Sequence, residues 1–162
     1  MKKTILGLLL ALFAVNAHAQ FEEGKKYVNA SFSGLGLSYS KDTKACFNLD
    51  LAGGYFLVDD WMVLGRVGYS HPGRHQDNFD IGVGGRYYIE QNGLSLGVMA
   101  NYEHGHIYNT KTDNFFITPE IGYTFFLNQY VTLEPALYYK MSLNDFSDAS
   151  AVGLRIGLGW FF

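Results

Sequence analysis

The chain has 162 residues, with 12 Lys and Arg against 15 Asp and Glu, so it has the length of one domain and no basic field with which to hold nucleic acid. A single Cys, Cys46, excludes an internal disulfide, and although 48% of residues are hydrophobic, no segment after Val15 is a long uninterrupted apolar run. Any membrane crossing by the body of the chain must therefore be made with strands.

Lys2 and Lys3 precede an apolar run from Ile5 to Val15, and Ala17-His18-Ala19 sets small residues at the usual cleavage spacing. The run is too short to span a bilayer, which takes about 20 residues. Residues 1–19 are read as a cleaved signal peptide and 20–162 as the mature domain. No Cys follows the run, which argues against a lipoprotein anchor.

Period-2 alternation then defines eight segments: Tyr27–Ser40, Ala45–Leu57, Trp61–Ser70, Asn78–Ile89, Leu94–Ile107, Asn114–Phe126, Tyr130–Ser142 and Ala149–Phe162. Each matches or comes close to the roughly 9 to 11 residues that cross a tilted barrel wall. Short turns at Val58–Asp60, Glu90–Gly93 and Leu127–Gln129 interleave with longer polar links at His71–Asp77, Tyr108–Asp113 and Leu143–Asp148. The first link, Lys41–Lys44, is short but charged. An even strand count puts both chain ends on the side of the short turns.

In the second segment Phe47, Leu49, Leu51, Tyr55 and Leu57 oppose Asn48 and Asp50; in the fourth Phe79, Ile81, Val83, Tyr87 and Ile89 oppose Asp80, Gly82, Gly84 and Arg86. The fifth sets Leu94, Leu96, Val98, Ala100 and Tyr102 against Ser95, Gly97, Asn101 and Glu103. The first changes parity, which a bulge near Ser33-Gly34 would reconcile. Aromatics of the apolar parity gather near both strand ends, Trp61, Tyr87, Phe125 and Trp160 toward the short turns and Tyr69, Phe79, Tyr102 and Phe115 toward the long links. A soluble ligand-carrying barrel would also alternate, but it would turn the apolar parity inward and leave the charged parity in water. Nine charges on the second parity, and almost none on the first, favour an apolar face turned to lipid.

The last segment carries Val152, Leu154, Ile156, Leu158, Trp160 and Phe162 on one parity with Gly153, Arg155, Gly157 and Gly159 on the other. It resembles the terminal strand of bacterial outer-membrane β-barrels, in which the assembly machinery reads such an aromatic terminus as an address, here Trp160 and Phe162. Over Gln20–Phe162 the chain resembles the OmpA and OmpX class of small outer-membrane proteins, including the family described as outer membrane protein β-barrel domain. The resemblance implies an all-β, eight-stranded, antiparallel up-and-down transmembrane barrel in the cell outer membrane. Its partners would be outer-membrane lipids, lipopolysaccharide and the assembly machinery, as a monomer with no cofactor.

On the inward parity, Asp50, Arg66, Arg86, Glu120, Glu134 and Arg155 fall in one mid-depth layer with equal numbers of each sign, and Asp80, Glu103 and Lys140 lie higher. With the turn between the sixth and seventh strands centred near Leu127, Glu120 and Glu134 come out opposite each other, and Arg155 is the expected shared partner. An eight-stranded barrel is only just wide enough for side chains, so these charges are expected to plug it. The alternative is a narrow gated pore or transport-linked channel.

Four histidines, His71, His75, His104 and His106, fall at the outer ends of the third to fifth strands or in the adjoining link. They are the weak candidates for metal ligands, with exposed rim residues the plainer reading. A lipid-modifying enzyme would need a Ser or Thr on the lipid-facing parity at that height, whereas Ser70 and Ser142 fall on the inward one. The sequence reading is thus a non-catalytic, porin-like envelope protein with a structural or surface-interaction role.

Overall fold

The computed structural model describes residues 21–33, 48–73, 76–90, 92–107, 110–143 and 150–162, and of 71–73, 76–77, 106–107 and 110–112 the backbone only. The expected signal peptide, the upper half of the first strand with its expected bulge, and the Lys41–Lys44 link lie outside these residues.

The strands are β1 (Lys26–Ser33), β2 (Asn48–Val58), β3 (Trp61–Gly73), β4 (Gln76–Tyr88), β5 (Leu94–Ile107), β6 (Thr110–Tyr123), β7 (Phe125–Phe126), β8 (Val131–Ser142) and β9 (Ala151–Phe161). β6 and β7 are one wall strand. Both pair with β8 in a single register, Gly122 with Ala136 and Phe125 with Leu133, so the wall has eight strands, all antiparallel. The ladder between β6 and β8 has two gaps, at Thr118–Pro119 and at Tyr123–Thr124. Pro119 sits in the first and Pro135 stands across from the second; neither has an N–H to give.

Closure is made by β1, whose Tyr27 pairs with Phe161 of β9 and whose Lys26 pairs with Tyr55 of β2. Following paired residues once round the wall, from Gly122 through Ala136, Arg155, Ser33, Asn48, Ser70, Asn78 and Gly105, returns to β6 at Thr112, ten residues from the start. That stagger over eight strands tilts them by about 40°, within the range for barrels of this width.

The parity reading places correctly which residues face out. Leu51 is 55% exposed while Asp50 beside it is 5%. Leu49, Val63, Val83, Val98, Ile121, Leu137 and Ile156 are likewise exposed, making a continuous apolar belt in the place where a lipid-facing surface is needed. At the turn side Trp61 packs on Tyr87, and toward the long links Tyr102 packs on Phe115, as the two expected girdles require. The turns at 59–60, 89–93 and 127–130 share one end with the chain ends, where Lys26 and Phe162 exchange backbone hydrogen bonds. In the 89–93 turn Gly93 has φ +87°, and a Cβ there would meet the Thr124 carbonyl at 2.8 Å.

Candidate functional site

The interior is layered along the barrel axis. At the turn-side end the inward positions of β1, β2, β4 and β9 are aromatic, namely Tyr27, Phe56, Tyr88 and Phe161. Phe21, just before β1, enters among them and is fully buried, its ring stacked on Tyr88 at 3.9 Å and 5.7 Å from Phe161. Met62, Leu64 and Met99 fill the remaining space. This apolar floor was not read from the sequence. Its signal is the aromatic doublet: Tyr55-Phe56, Tyr87-Tyr88, Phe125-Phe126 and Phe161-Phe162 each put a ring on both parities at a strand end.

Above the floor lies the charged layer, and all six expected residues face inward, each no more than 8% exposed. Arg86 is its centre. One nitrogen, Nη2, donates to Glu120 Oε1 at 2.9 Å, and Nη1 reaches Glu134 Oε2 at 3.2 Å and the Tyr27 and Tyr88 hydroxyls at 3.2 and 3.3 Å. Glu120 Oε2 accepts from Arg155 Nη1 at 2.6 Å and Arg66 Nη2 at 3.2 Å, so three guanidinium groups converge on one carboxylate. Glu134 is held by Tyr27 OH at 2.5 Å and Thr132 Oγ1 at 2.7 Å. Asp50 accepts from Ser33 Oγ at 2.8 Å, and Arg155 Nε stands 3.9 Å from it.

Two expectations are corrected here. Glu120 faces Tyr138 rather than Glu134, because the turn is centred at Gln129; moving the centre two residues past Leu127 slides the pairing by four and preserves parity. The guanidinium shared by both glutamates is consequently that of Arg86, while Arg155 serves Glu120 and Asp50 and lies over the Tyr138 ring at 4.8 Å.

The layer needs room that the wall supplies with glycine. A Cβ on Gly97 would sit 2.8 Å from Glu120 Cγ, and one on Gly159 would sit 2.2 Å from Glu134 Oε1. Charges taken out of water are costly unless their partners are close and complete, and here each glutamate oxygen has at least one donor. Such a layer is poor in chemistry. Both glutamates are committed to fixed donors.

Higher still, Lys140 pairs with Glu103 and lies 3.9 Å from the centre of the Phe116 ring. Asp80, Asn101 and Asn48 line the same outer vestibule. Of the four candidate histidines, His104 alone has a described side chain; its Nδ1 is 2.7 Å from Asp113 Oδ1, which also accepts from Tyr102 OH at 2.8 Å. The side chains of His71, His75 and His106 lie outside the described residues. Among the described residues no group of three or more His, Cys, Asp or Glu is placed to hold a metal. Trp160 and Phe162 face outward, 39% and 61% exposed, at the turn-side end of β9.

No protein family and no curated protein matches this chain in sequence. Solved structures do match in fold. The N-terminal β-barrel domain of Pseudomonas aeruginosa OprF superposes with a TM-score of 0.63 at 16% identity, over 86% of this chain and 98% of that one. Yersinia pestis Ail in a phospholipid bilayer nanodisc gives 0.60 at 15% identity, over 86% and 100%. The Pseudomonas aeruginosa outer membrane protein OprG gives 0.56 at 16% identity, over 87% and 97%. The chain has the fold of the small eight-stranded outer-membrane barrels.

Proposed function

We propose that this protein is a non-catalytic barrel of the outer membrane, exported through a cleaved signal peptide, with its lumen plugged and its work done by the wall and outer rim. One observation carries the reading: the ion layer centred on Arg86 rests directly on the aromatic floor, so that two different kinds of packing block the same narrow lumen. The apolar belt meets lipid, and the outer rim is left to meet lipopolysaccharide or another surface. Ail, described as the attachment invasion locus protein, and NspA, described as a surface protein, have the same barrel plan and support a surface role. Trp160 and Phe162 are the address that the assembly machinery would read.

The decisive experiment is conductance of the purified, refolded chain in a planar bilayer. No steady current is expected, together with a heat-shifted band on unboiled gels that reports a closed barrel. Steady currents would instead assign the chain to the narrow-pore class.

A further inference from the structure

The vestibule above the ion layer holds a charge that its own side chains leave unbalanced. Among the described inward groups, Arg66, Arg86 and Arg155 offset Asp50, Glu120 and Glu134, and Lys140 offsets Glu103. Asp80 is left over, and no hydrogen bond or ion pair reaches it among the described residues. Its Oδ1 leans over Gly68 instead, where a Cβ would lie 2.0 Å from it and 2.7 Å from Asp50 Oδ1. The two oxygens are therefore within about 4.7 Å of each other, close enough for two carboxylates to repel unless a positive charge comes between them. Ser33 and Arg155 approach the other oxygen of Asp50, Oδ2, and Arg66 and Lys140 line the same cavity without forming an ion pair with Asp80.

An independent sign of a ligand site comes from Asn101. It is 9% exposed, its Nδ2 donates to Thr118 Oγ1 at 2.8 Å, and its Oδ1 has no partner. Asn101 lines the same cavity as Asp50 and Asp80, as does Asn48, whose Oδ1 is also unpartnered. A buried amide oxygen without a donor is costly, and two on one cavity call for something electropositive inside it.

We propose that the vestibule binds one alkali-metal cation between Asp80 and Asp50, in the cavity that Asn101 and Asn48 also line. All-oxygen donors suit a hard cation. A single positive charge is what the balance of the described inward groups lacks, which points to a monovalent ion. The competitor is a proton shared by the two carboxylates. The site lies on the outer side of Arg66 and Arg155, so it holds whether or not the lumen conducts.

The test is urea unfolding of the full chain refolded into phospholipid vesicles at neutral pH, in equal concentrations of sodium, potassium or choline chloride. The midpoint should be higher in sodium or potassium than in choline, and once the site is saturated each tenfold rise in the free alkali ion should lower the unfolded-to-folded ratio about tenfold. Asp80→Asn should abolish the difference between alkali ion and choline. Equal wild-type midpoints in all three salts would overturn the proposal. So would a midpoint that rises on acidification but ignores the alkali ion, which would assign the charge to a shared proton, or an alkali dependence that survives in Asp80→Asn. Should that variant fail to fold, wild-type crystals soaked in thallium(I) decide: anomalous density between the two carboxylates supports the site, and its absence there rejects it.

Discussion

The floor and the vestibule are enclosed by the same eight strands, yet they are packed on opposite terms. At the floor, Phe21, Phe56, Tyr88 and Phe161 are at most 3% exposed and touch ring to ring, as in the core of a water-soluble domain. In the vestibule, the Lys140 and Glu103 side chains keep 31% and 19% of their surface open. The ion layer divides them, with its lower face against Tyr27 and Tyr88 and its upper face against the vestibule. A barrel turned inside out with respect to lipid therefore still builds a conventional apolar core, which among the described residues lies at the end where the turns are short.

The contrast can be broken first at Arg86. Arg86→Ala takes from Glu134 its only cation among the described residues and from Glu120 Oε1 its donor, and a loss of about 5 kcal/mol is expected in urea titrations. Changing Arg86 and Glu134 together to Met and Gln should recover part of it, since Glu120 keeps Arg66 and Arg155. A loss no larger than that of a vestibule charge would mean that water reaches the layer from above. Phe56→Ala at the floor should cost about 3 to 4 kcal/mol through the cavity it leaves, and under the proposed plug it should change conductance little, since the ion layer is untouched. Arg155→Ala comes next at about 2 to 3 kcal/mol, less than Arg86→Ala because Glu120 keeps Arg86 and Arg66. Lys140→Met in the vestibule should cost under about 1 kcal/mol, since its partner can turn to water. Equal losses for Lys140→Met and Phe56→Ala would remove the distinction between the two ends.

Strand parity made the wall and the layer legible from the sequence. Asp50, Arg66, Arg86, Glu120, Glu134 and Arg155 are found inward because alternation depends only on counting along one strand. Which of them touch depends on register across a turn, and there the reading failed: placing the turn at Leu127 rather than Gln129 left both glutamates inward but gave them the wrong guanidinium. The floor escaped for another reason. An apolar ring on the inward parity looks like an exception to the lipid-facing pattern until the four doublets are compared, and Phe21 lies outside any strand, where alternation carries no information.

The meeting of β1 with β9 has a kinetic meaning. Hairpins such as β2 with β3 and β4 with β5 close over a few residues, whereas the floor needs Phe21, Phe56, Tyr88 and Phe161 at once, and the last of these arrives only when the two ends of the chain are joined. Contacts of such sequence separation form late, after the entropy of the long loop has been overcome. Substitutions in the floor should then leave the folding rate nearly unchanged and raise the unfolding rate. The aromatic end of the lumen acts as a latch, and its packing sets how long a finished barrel stays shut.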